Sequence, residues 1–435
     1  MRTLLASTLV AVLAVFCDAQ GAESMAPFTI PPSGKPELLV GDAELTNPTA
    51  MAFDSQNRPY MINKRNPESF GLIHTLRDGK WVTLSCVDAI NVAHPPTVRN
   101  MHANGELVID DADCLYLTIA NQLVYSADLG KTFQAYPCRG SLEVRVGHNK
   151  LTVPPAISQT TNRQKTPGAR WGARSTLSVL LPEKTKDGLK LGKSIQITDK
   201  CLTAGSGGHS GGTSFAVTTG RYTHVVYAEM PEALDGGNPT YIATVDRETR
   251  TVIAREFLVK AEPKKPDVHS RPTIAVDSKG YLHVVSGSHG QPFFYLRSLK
   301  PNDITGGWTK PAKVGKRQCY ASLVCDQEDR LHSAFREWLP HASLGYQSAA
   351  ASDGKWQPTQ TLVHGSLKKG KYEYGIFYHR LFIDRASTLY VSFTFFEFGT
   401  DKDGDYPEAL AVSKDGGKSW QLADKETFQQ LERGN

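Results

Sequence analysis

Short runs of alternating apolar and polar residues dominate this chain, and no sustained stripe with the 3.6-residue period of a helix competes with them. Runs of about four to eight residues rich in Val, Ile, Tyr and Phe are bounded by Gly, Asp, Asn and Pro. This pattern is typical of β-strands joined by tight turns. The sequence therefore predicts an all-β fold.

Paired strands recur along the chain. The clearest pair covers residues 273–286, two strands joined by a turn that contains glycine, with a third strand at 293–298. The same strand-turn-strand pattern is found at 50–63, 106–119, 214–228, 322–336 and 381–395. The interval 140–200 has room for a further unit, with candidate strands at 175–181 and 194–198. We therefore expect a repeated β-sheet unit.

The spacing of the units predicts their arrangement. Segments that end at Val217, Asp277, Asp326 and Asp384 align with one another and recur at intervals of about 50 to 60 residues. Sheets repeated at such intervals form a ring, the β-propeller. Seven blades fit best, and six or eight blades also fit. We expect one propeller domain over residues 22–435.

The first 21 residues form a segment of a different kind. Arg2 precedes an apolar run from Leu4 to Phe16, and small residues follow it. This order is typical of a secretory signal peptide. No later apolar run approaches the length that spans a membrane. We therefore expect a signal peptide at 1–21 and a secreted or periplasmic protein without a membrane span.

Six cysteines follow the predicted signal peptide, and they are Cys86, Cys114, Cys138, Cys201, Cys319 and Cys325. An even number in an oxidising compartment permits disulfides. A structural zinc site that combines some of the thiolates with a histidine is the alternative, and calcium is a second candidate for a structural site. A core of this size requires neither.

The distribution of charge is more informative than its sum. The formal net charge of +5 is small for 435 residues, so we expect no nucleic-acid binding. Lysines and arginines cluster in three loops, at 264–265, 310–317 and 368–371. Such clusters are often no more than solvated loops. Around a binding site they would favour an anionic ligand.

Four residues with reactive or polar side chains lie near the start of the aligned segments, just before a strand: His209, His269, Tyr320 and Tyr378. The first strand of each propeller blade lies innermost. We therefore expect these four side chains to converge at the mouth of the central channel.

Residues at the ends of second strands reach the same mouth, because the second strand runs antiparallel to the first. His289 and Arg336 are the candidates at these ends. Arg271 and Arg380 lie beside the aligned residues, and Trp338 is available as a wall on which a sugar stacks.

A cluster of His, Tyr and Arg without paired carboxylates does not suit an ordinary glycosidase, which needs two Asp or Glu groups. It suits β-elimination from a uronate. That reaction needs a cation for the carboxylate, a base for the proton on the adjacent carbon, and an acid for the departing oxygen. Arg binds a carboxylate through two hydrogen bonds, and His and Tyr can act as base and acid. No catalytic metal is required.

Two motifs resemble Asp-boxes, the hairpin motif of sialidase-like propellers. They cover residues 126–133 and 413–420 and share the pattern Ser-x-Asp-x-Gly-x-Thr/Ser-aromatic. In this motif Asp and Gly form the tight turn, and the aromatic side chain fills the space between outer strands. The motif therefore predicts the fold and not the activity.

Residues 265–400 resemble the BNR-repeat seven-bladed propeller ulvan lyases. The resemblance rests on the pair His269 and His289, on the segment 288–298, and on Tyr320 followed sixteen positions later by Arg336. It implies that His269 and Tyr320 are the acid and base and that Arg336 neutralises the uronate. It also implies that His289 and Tyr378 line the subsite. Glu337, next to Arg336, departs from the family pattern and is expected to weaken the positive field.

Three functions remain open. The first is a polysaccharide lyase, acting as a monomer on an anionic polysaccharide that contains rhamnose and uronate, as ulvan does. The second is a glycoside hydrolase on the same scaffold, acting on a rhamnose–glucuronate linkage or as a sialidase. A sialidase needs an arginine triad and a Tyr/Glu pair, and the Arg-Ile-Pro motif near the first blade is missing from this sequence. The third is a propeller that binds carbohydrate without catalysis.

Overall fold

A computed structural model describes residues 50–62, 70–90, 106–161, 173–203, 214–232, 237–261, 266–338, 342–368, 371–397 and 408–423. Within these ranges the regular structure is β-strand, apart from one turn of 3-10 helix at Val87–Ala89. The predicted all-β fold is confirmed. No helix in these ranges is long and apolar enough to cross a membrane. The predicted signal peptide and His209 lie outside the described residues.

The described strands pair in chain order into antiparallel meanders, which we call units one to seven. Unit one joins β1 (Ala50–Phe53), β2 (Pro59–Ile62), β3 (Leu72–Arg77) and β4 (Lys80–Ser85). Unit two joins β5 (Leu107–Ile109), β6 (Leu115–Ile119), β7 (Gln122–Ser126) and β8 (Gln134–Pro137). Unit three joins β9 (Ser141–Leu142), β10 (Ala156–Thr161), β11 (Ser175–Leu180) and β14 (Ile195–Thr203), with a hairpin of β12 (Glu183–Thr185) and β13 (Gly188–Lys190) between β11 and β14.

The later units repeat the same meander. Unit four joins β15 (Ala216–Thr219), β16 (Tyr222–Glu229), β17 (Asn238–Asp246) and β18 (Thr251–Ala261). Unit five joins β19 (Pro272–Val276), β20 (Leu282–Ser286), β21 (His289–Lys300) and β23 (Ala312–Cys319), and β22 (Asp303–Trp308) pairs with β21. Unit six joins β24 (Val324–Cys325), β25 (Arg330–Glu337), β26 (Leu344–Ala350) and β27 (Gln360–Val363). Unit seven joins β29 (Lys371–Ile383), β30 (Leu389–Glu397), β31 (Glu408–Ser413) and β32 (Gln421–Leu422), and β28 (Ser366–Lys368) pairs with β29.

A repeated turn joins the first and second strands of five units, and it begins at Asp54, Asp110, Asp277, Asp326 and Asp384. In each turn Oδ1 of the aspartate accepts hydrogen bonds from the backbone N–H groups two and four residues later. The residue three positions after the aspartate has a positive φ in all five turns. The aspartate therefore fixes the turn by capping its backbone donors.

Hydrogen bonds between these turns close the ring. Ser55 donates its backbone N–H and its hydroxyl to Asp113, at 2.7 and 2.6 Å, which joins unit one to unit two. Ser278 donates in the same way to Asp329 and joins units five and six. The backbone N–H of Arg385 donates to Asn57 Oδ1 at 2.9 Å, and this bond joins unit seven to unit one. The described units therefore follow one another around a closed β-propeller, whose number of blades stays a prediction.

The two predicted Asp-boxes have the expected turn geometry, and they join the third and fourth strands of units two and seven. Asp128 Oδ1 accepts the backbone N–H groups of Lys131 and Thr132, and Asp415 Oδ1 accepts that of Ser419. The side chain of Trp420 is buried and packs against Tyr346 of unit six, with ring centroids 5.1 Å apart. The Trp420 aromatic therefore fills the space between neighbouring sheets, as the motif predicts.

All six cysteines after the predicted signal peptide are buried and free. The apolar core lies between adjacent sheets and comprises several clusters of buried side chains. Stability in the described structure therefore comes from packing between sheets and from the capped turns, and not from disulfides.

Candidate functional site

Three predicted site residues meet where the sheets of units five and six join. His289, the first residue of β21, pairs with Cys319 at the end of β23, and Cys319 also pairs with Arg336 near the end of β25. Tyr320 follows Cys319 directly. His289 and Arg336 therefore flank the strand end from which Tyr320 projects. The expectation that His289 ends a second strand was wrong, because β20 ends at Ser286 and His289 begins the third strand.

A buried carboxylate holds the two histidines of the site. Oδ1 of Asp267 accepts a hydrogen bond from Nδ1 of His269, and Oδ2 lies 2.9 Å from Nδ1 of His289. The imidazole rings are 4.5 Å apart between centroids. Burial opposes ionisation of Asp267, but the hydrogen bonds from both histidines outweigh it and lower the pKa of this carboxyl below its usual range. An ionised carboxylate can only accept hydrogen bonds, so Nδ1 of each ring carries the proton. Nε2 of each ring is then the basic nitrogen.

Burial also sets the charge of His269. Desolvation lowers the pKa of this imidazole, although Asp267 opposes the shift. His269 is therefore neutral at neutral pH, with a lone pair on Nε2.

The phenol of Tyr320 lies against both imidazoles. Its ring centroid is 5.6 Å from that of His269 and 5.8 Å from that of His289. Burial raises the pKa of Tyr320 far above its usual range, so the hydroxyl keeps its proton at every ordinary pH. The φ angle of Tyr320 is 63°, in the left-handed region that a bulky residue rarely adopts. Such backbone strain is often stored at functional sites.

The guanidinium of Arg336 contacts two aromatic rings and a thiol. Its Cζ atom lies 4.7 Å from the ring centroid of Tyr320 and 4.2 Å from that of Phe377. Nε donates to Cys319 Sγ at 3.1 Å. Burial raises the pKa of the Cys319 thiol to about 11, so this acceptor is uncharged. Arg336 thus contacts three neutral groups in the described structure, namely Tyr320, Phe377 and Cys319.

Glu337, the residue expected to weaken the positive field, has a hydrogen-bond partner of its own. Successive residues of a strand point to opposite faces of the sheet. Glu337 accepts a hydrogen bond from Thr361 Oγ1 at 2.5 Å, on β27 at the other side of unit six. The alternation of the strand therefore places Glu337 and Arg336 on opposite faces of the sheet, and the effect of Glu337 on the positive field stays a prediction.

Trp338 forms a wall beside the histidines. Its ring centroid is 4.8 Å from that of His289, at an interplanar angle of 84°. Gly290 makes this approach possible, because a Cβ atom there would lie 2.9 Å from Cε2 of the indole. The φ angle of Gly290 is +94°, which also favours glycine. Arg317 lies over the same indole at 5.9 Å. The sequence placed Arg317 in a basic loop at 310–317, and this was wrong for most of the segment, because Ala312–Cys319 form strand β23.

The remaining predicted residues take different positions. Tyr378 has a φ angle of 51°, in the same left-handed region as Tyr320. Arg271, directly before β19, and Arg380, within β29, are both buried. His209 lies outside the described residues.

Sequence reasoning missed Asp267 and His379. Asp267 lies two residues before His269, and an Asp-x-His spacing beside a predicted catalytic histidine could have pointed to it. His379 is fully buried, and its Nε2 lies 2.9 Å from the backbone oxygen of Tyr320. Only the three-dimensional arrangement reveals that contact, because the two residues are 59 positions apart.

Two groups of side chains in the described structure could hold a metal ion, namely Asp267–His269–His289 and His148–Cys325–Asp329. In the first group both histidines use Nδ1 to bond the carboxylate. In the second group both oxygens of Asp329 accept bonds from Ser278, and burial raises the pKa of the Cys325 thiol far above its usual range. A structural zinc or calcium site stays a hypothesis.

Comparisons with known proteins give a family match and remote structural similarities. Residues 239–432 match the family described as BNR repeat-containing family member. The chain is 12% identical to a protein of unknown function from Dyadobacter fermentans, with a TM-score of 0.45 and coverage of 89% of this chain and 97% of that one. None of the curated proteins matches the chain.

Two carbohydrate-active proteins of known structure are similar at the same low level. Polysaccharide lyase Uly1 is 15% identical, with a TM-score of 0.36, and the match covers 48% of this chain and 54% of the lyase. The chain thus spans about half the length of that lyase. An α-L-arabinanase from Penicillium chrysogenum is 10% identical, with a TM-score of 0.42 and coverage of 71% and 92%. Similarities this weak do not assign an activity.

Proposed function

We propose that the protein is a polysaccharide lyase that cleaves an anionic, uronate-containing polysaccharide by β-elimination. One observation carries the proposal: His269, His289 and Tyr320 are in mutual ring contact, and the guanidinium of Arg336 lies over the phenol. A base, an acid and a cation therefore fall within the width of one sugar.

Arg336 is proposed to neutralise the uronate carboxylate. Removal of the proton on the neighbouring carbon places negative charge on that carboxylate, and a guanidinium that stays charged stabilises it. The contact between the Arg336 guanidinium and the ring of Tyr320 supports this role, because it places the cation beside the proposed acid.

His269 is proposed as the base. Asp267 holds the proton on Nδ1, so Nε2 can accept the proton from the sugar carbon. Asp267 then stabilises the imidazolium that forms, as a carboxylate does for the histidine of a catalytic triad.

Tyr320 is proposed as the acid. Because its pKa is raised, its hydroxyl is protonated at the start of the reaction and can donate to the departing oxygen. The carbon–oxygen bond to the leaving sugar breaks, and its electron pair leaves with that oxygen. The electrons of the broken C–H bond form the carbon–carbon double bond of the unsaturated uronate. The base ends protonated and the acid deprotonated, so one proton is taken and one is given.

Trp338 and His289 are proposed to line the subsite, with the indole as a stacking surface for a sugar ring. Tyr378 is proposed to lie at its edge. A rhamnose- and uronate-containing polymer such as ulvan fits the proposal, and secretion would place the enzyme where such polymers occur.

Hydrolysis by two carboxylates has less support. The carboxylate in contact with the described cluster is Asp267, and both its oxygens are bound by histidines. A hydrolase would need a second acidic group across the sugar.

The proposal is tested by incubating the full-length protein with a panel of uronate polysaccharides that includes ulvan. We expect near-ultraviolet absorbance from unsaturated uronate ends on at least one of them. Arg336→Ala should lower kcat/KM by roughly 100-fold or more, because a charge-assisted contact to the substrate is lost. Arg330→Ala, at the opposite end of the same strand, is the matched control and should retain activity. New reducing ends without absorbance would instead identify a hydrolase, and binding without any product a carbohydrate-binding protein.

A further inference from the structure

A loop of unit three reaches the first strands of units five and six. It covers residues 143–155, between β9 and β10. The backbone N–H of His148 donates to the carbonyl oxygen of Val276 at 3.1 Å, and the backbone N–H of Cys325 donates to that of Val146 at 3.0 Å. These bonds fix the backbone around His148 against the ends of β19 and β24.

Four donor atoms meet at this contact: Nε2 of His148, Sγ of Cys325, Oδ1 of Asp329 and the backbone carbonyl oxygen of Asp326. Nε2 of His148 lies 3.0 Å from the carbonyl oxygen and 3.4 Å from Oδ1 of Asp329. Sγ of Cys325 lies 3.7 Å from the same carbonyl oxygen. One donor atom from each of the three side chains lies within 4.8 Å of the other two. The four atoms thus form a compact cluster drawn from two distant parts of the chain.

These separations suit one small cation. Zinc binds sulfur at about 2.3 Å and nitrogen or oxygen at about 2.0–2.2 Å, in tetrahedral geometry. Two ligands of such a tetrahedron are about 3.3–3.5 Å apart for a nitrogen–oxygen pair and about 3.6 Å apart for a sulfur–oxygen pair. The observed 3.4 and 3.7 Å match these values, and the pair at 3.0 Å is slightly closer. A cation at the centre of the cluster could therefore reach all four atoms after small side-chain movements.

The types of donor select the metal. A thiolate and an imidazole favour zinc, whereas calcium and magnesium prefer sites built from oxygen ligands. The side chain of Cys325 is buried, while those of His148 and Asp329 are 20% and 26% exposed. The cluster is therefore open to solvent on one side, which gives an ion a path of entry.

Hydrogen bonds already orient the carboxylate of Asp329. Ser278 donates its backbone N–H to Oδ1 at 2.8 Å and its hydroxyl to Oδ2 at 2.6 Å. Each carboxylate oxygen has a second lone pair, so Oδ1 can bind a cation while it keeps the N–H bond. Metal ligands are commonly held in place by such outer bonds. The contacts from Ser278 are thus compatible with metal binding and support it.

We propose that one Zn²⁺ ion binds to the cluster formed by His148, Cys325, Asp329 and the carbonyl oxygen of Asp326. Binding replaces the proton of the Cys325 thiol, so one proton is released for each zinc ion. The ion would link the loop of unit three to unit six. Tyr320 precedes β24 and Asp326 follows it, so the zinc lies at the other end of this strand from the proposed acid and has a structural role. This inference does not depend on the proposed function.

Zinc titration tests the site. The full-length protein, free of any affinity tag, is stripped with a chelator and titrated with Zn²⁺. We expect one equivalent to bind, and at roughly 100 times the Kd we expect Tm to rise by about 3 °C or more. Ca²⁺ at the same concentration should leave Tm unchanged. No zinc bound by the wild-type protein, or an equal rise with Ca²⁺, would overturn the proposal.

A cysteine pair identifies the thiolate ligand. Cys325→Ser should bind zinc at least about 100-fold more weakly, because loss of even an outer partner of a metal ligand costs about 10- to 100-fold. Cys201→Ser is the matched control, since Cys201 is also buried and free, and it should bind zinc like the wild type. With Co²⁺ as the probe, a thiolate-to-metal absorption band in the near ultraviolet should appear in the wild type and in Cys201→Ser and be missing in Cys325→Ser. Equal zinc binding by Cys325→Ser and the wild type would contradict the assignment.

Two further variants keep the test decisive. If Cys325→Ser does not fold, His148→Gln takes its place, because His148 is partly exposed, and this variant should also bind zinc more weakly than the wild type. If zinc instead bound at the Asp267–His269–His289 group, Asp267→Asn would lose it while Cys325→Ser and His148→Gln kept it. That outcome would overturn the proposed site. None of these measurements requires turnover, so a missing unsaturated product would leave the zinc result standing.

Discussion

Nε2 of His379 lies 2.9 Å from the backbone carbonyl oxygen of Tyr320, so a side chain of unit seven holds the tyrosine that follows unit five. Tyr320 needs such support, because a bulky residue in the left-handed region costs about 1–3 kcal/mol. His379 is fully buried and donates its N–H to that carbonyl. We infer that His379 is a positioning residue, which fixes the direction of the phenol without contacting substrate.

Replacing His379 by Asn should impair turnover more than binding. Loss of the bond lets the Tyr320 backbone relax, and a shift of about 1 Å in a catalytic group can cost up to roughly 100-fold in rate. We expect kcat to fall by about ten- to 100-fold and KM to change by less than about threefold. Steady-state kinetics on the polymer that gives unsaturated product measures both values.

His224→Asn is the matched control for that variant. His224 is also fully buried, and its ring nitrogens contact Thr219 and Thr244 of unit four, at 3.2 and 2.9 Å. It should lose comparable stability while kcat stays near the wild-type value. A similar loss of kcat in both variants would mean that His379 has only a structural role.

The two buried histidines also predict how stability depends on pH. Burial lowers the pKa of both His224 and His379 to about 4, whereas an unfolded histidine titrates near 6.5. Between these values the unfolded chain binds more protons than the folded protein, so acidification favours unfolding. The contribution is fully present above pH 6.5 or so and declines as the pH falls toward about 4.

Thermal unfolding measured between roughly pH 8 and pH 4.5 checks this sign. Tm should fall on the acid side, and His224→Asn should show a shallower fall than the wild type. A Tm that rises on acidification across this window, or a slope unchanged by the substitution, would contradict the assignment.

Asp267→Asn should disable the base while the fold persists. The amide can donate to Nδ1 of His269 and so favours the tautomer with the proton on Nε2. We expect kcat to fall by roughly 10²- to 10⁴-fold, the usual range for loss of general base catalysis. Asp277→Asn is the matched control. Asp277 lies in the turn between β19 and β20, and it also bonds a buried histidine, His283. That control should lose stability and keep its kcat once folded.

The pH dependence of the wild-type rate gives a separate check of the roles. Because the pKa of His269 is lowered, kcat/KM should decline only below its ordinary range near pH 6.5. Because the pKa of Tyr320 is raised, we expect no loss of kcat/KM from ionisation of the phenol near pH 10. A loss of kcat/KM between about pH 8 and 10 that disappears in Tyr320→Phe would reverse the assignment of the acid.

Much of the fold was predictable, because strand alternation, turn residues and Asp-boxes are local features of the sequence. The site was predictable only in part. Tyr320 lies six residues before the turn aspartate Asp326, and Tyr378 lies six residues before Asp384. The residue six positions before Asp277 is Arg271, and His269 lies two residues before Arg271. His269 still meets Tyr320, because the chain before β19 turns at 268–269 and Tyr320 adopts a left-handed backbone. Such irregular connections have no simple sequence pattern.

The partners of the site were hidden for a related reason. The joint pairing of β21, β23 and β25 places His289 and Arg336 on either side of Cys319, and it crosses from one unit to the next. A repeat read from sequence treats each unit alone, so it does not predict such a junction. The same limit applies to Asp267, which bonds both His269 in the turn before β19 and His289 in β21.

Gly290→Ala should damage substrate binding through Trp338. The added Cβ would lie 2.9 Å from the indole, so the ring must move from its place beside His289. We expect KM to rise by about threefold to tenfold through loss of sugar stacking, with a smaller effect on kcat. Gly220→Ala is the control, since Gly220 also has a positive φ, of +58°, but nothing lies within 4 Å of the added atom. If both variants lose stability and neither changes KM, Trp338 is not part of the binding surface.

The most direct measurement counts the two kinds of chain end that the full-length protein produces from a uronate polysaccharide such as ulvan. β-Elimination creates an unsaturated end for every new reducing end, because the C–O bond breaks without addition of water. We predict a ratio close to one throughout the reaction, and near-complete loss of both ends in Tyr320→Phe. Reducing ends without unsaturated ends, or undiminished cleavage by Tyr320→Phe, would contradict the account.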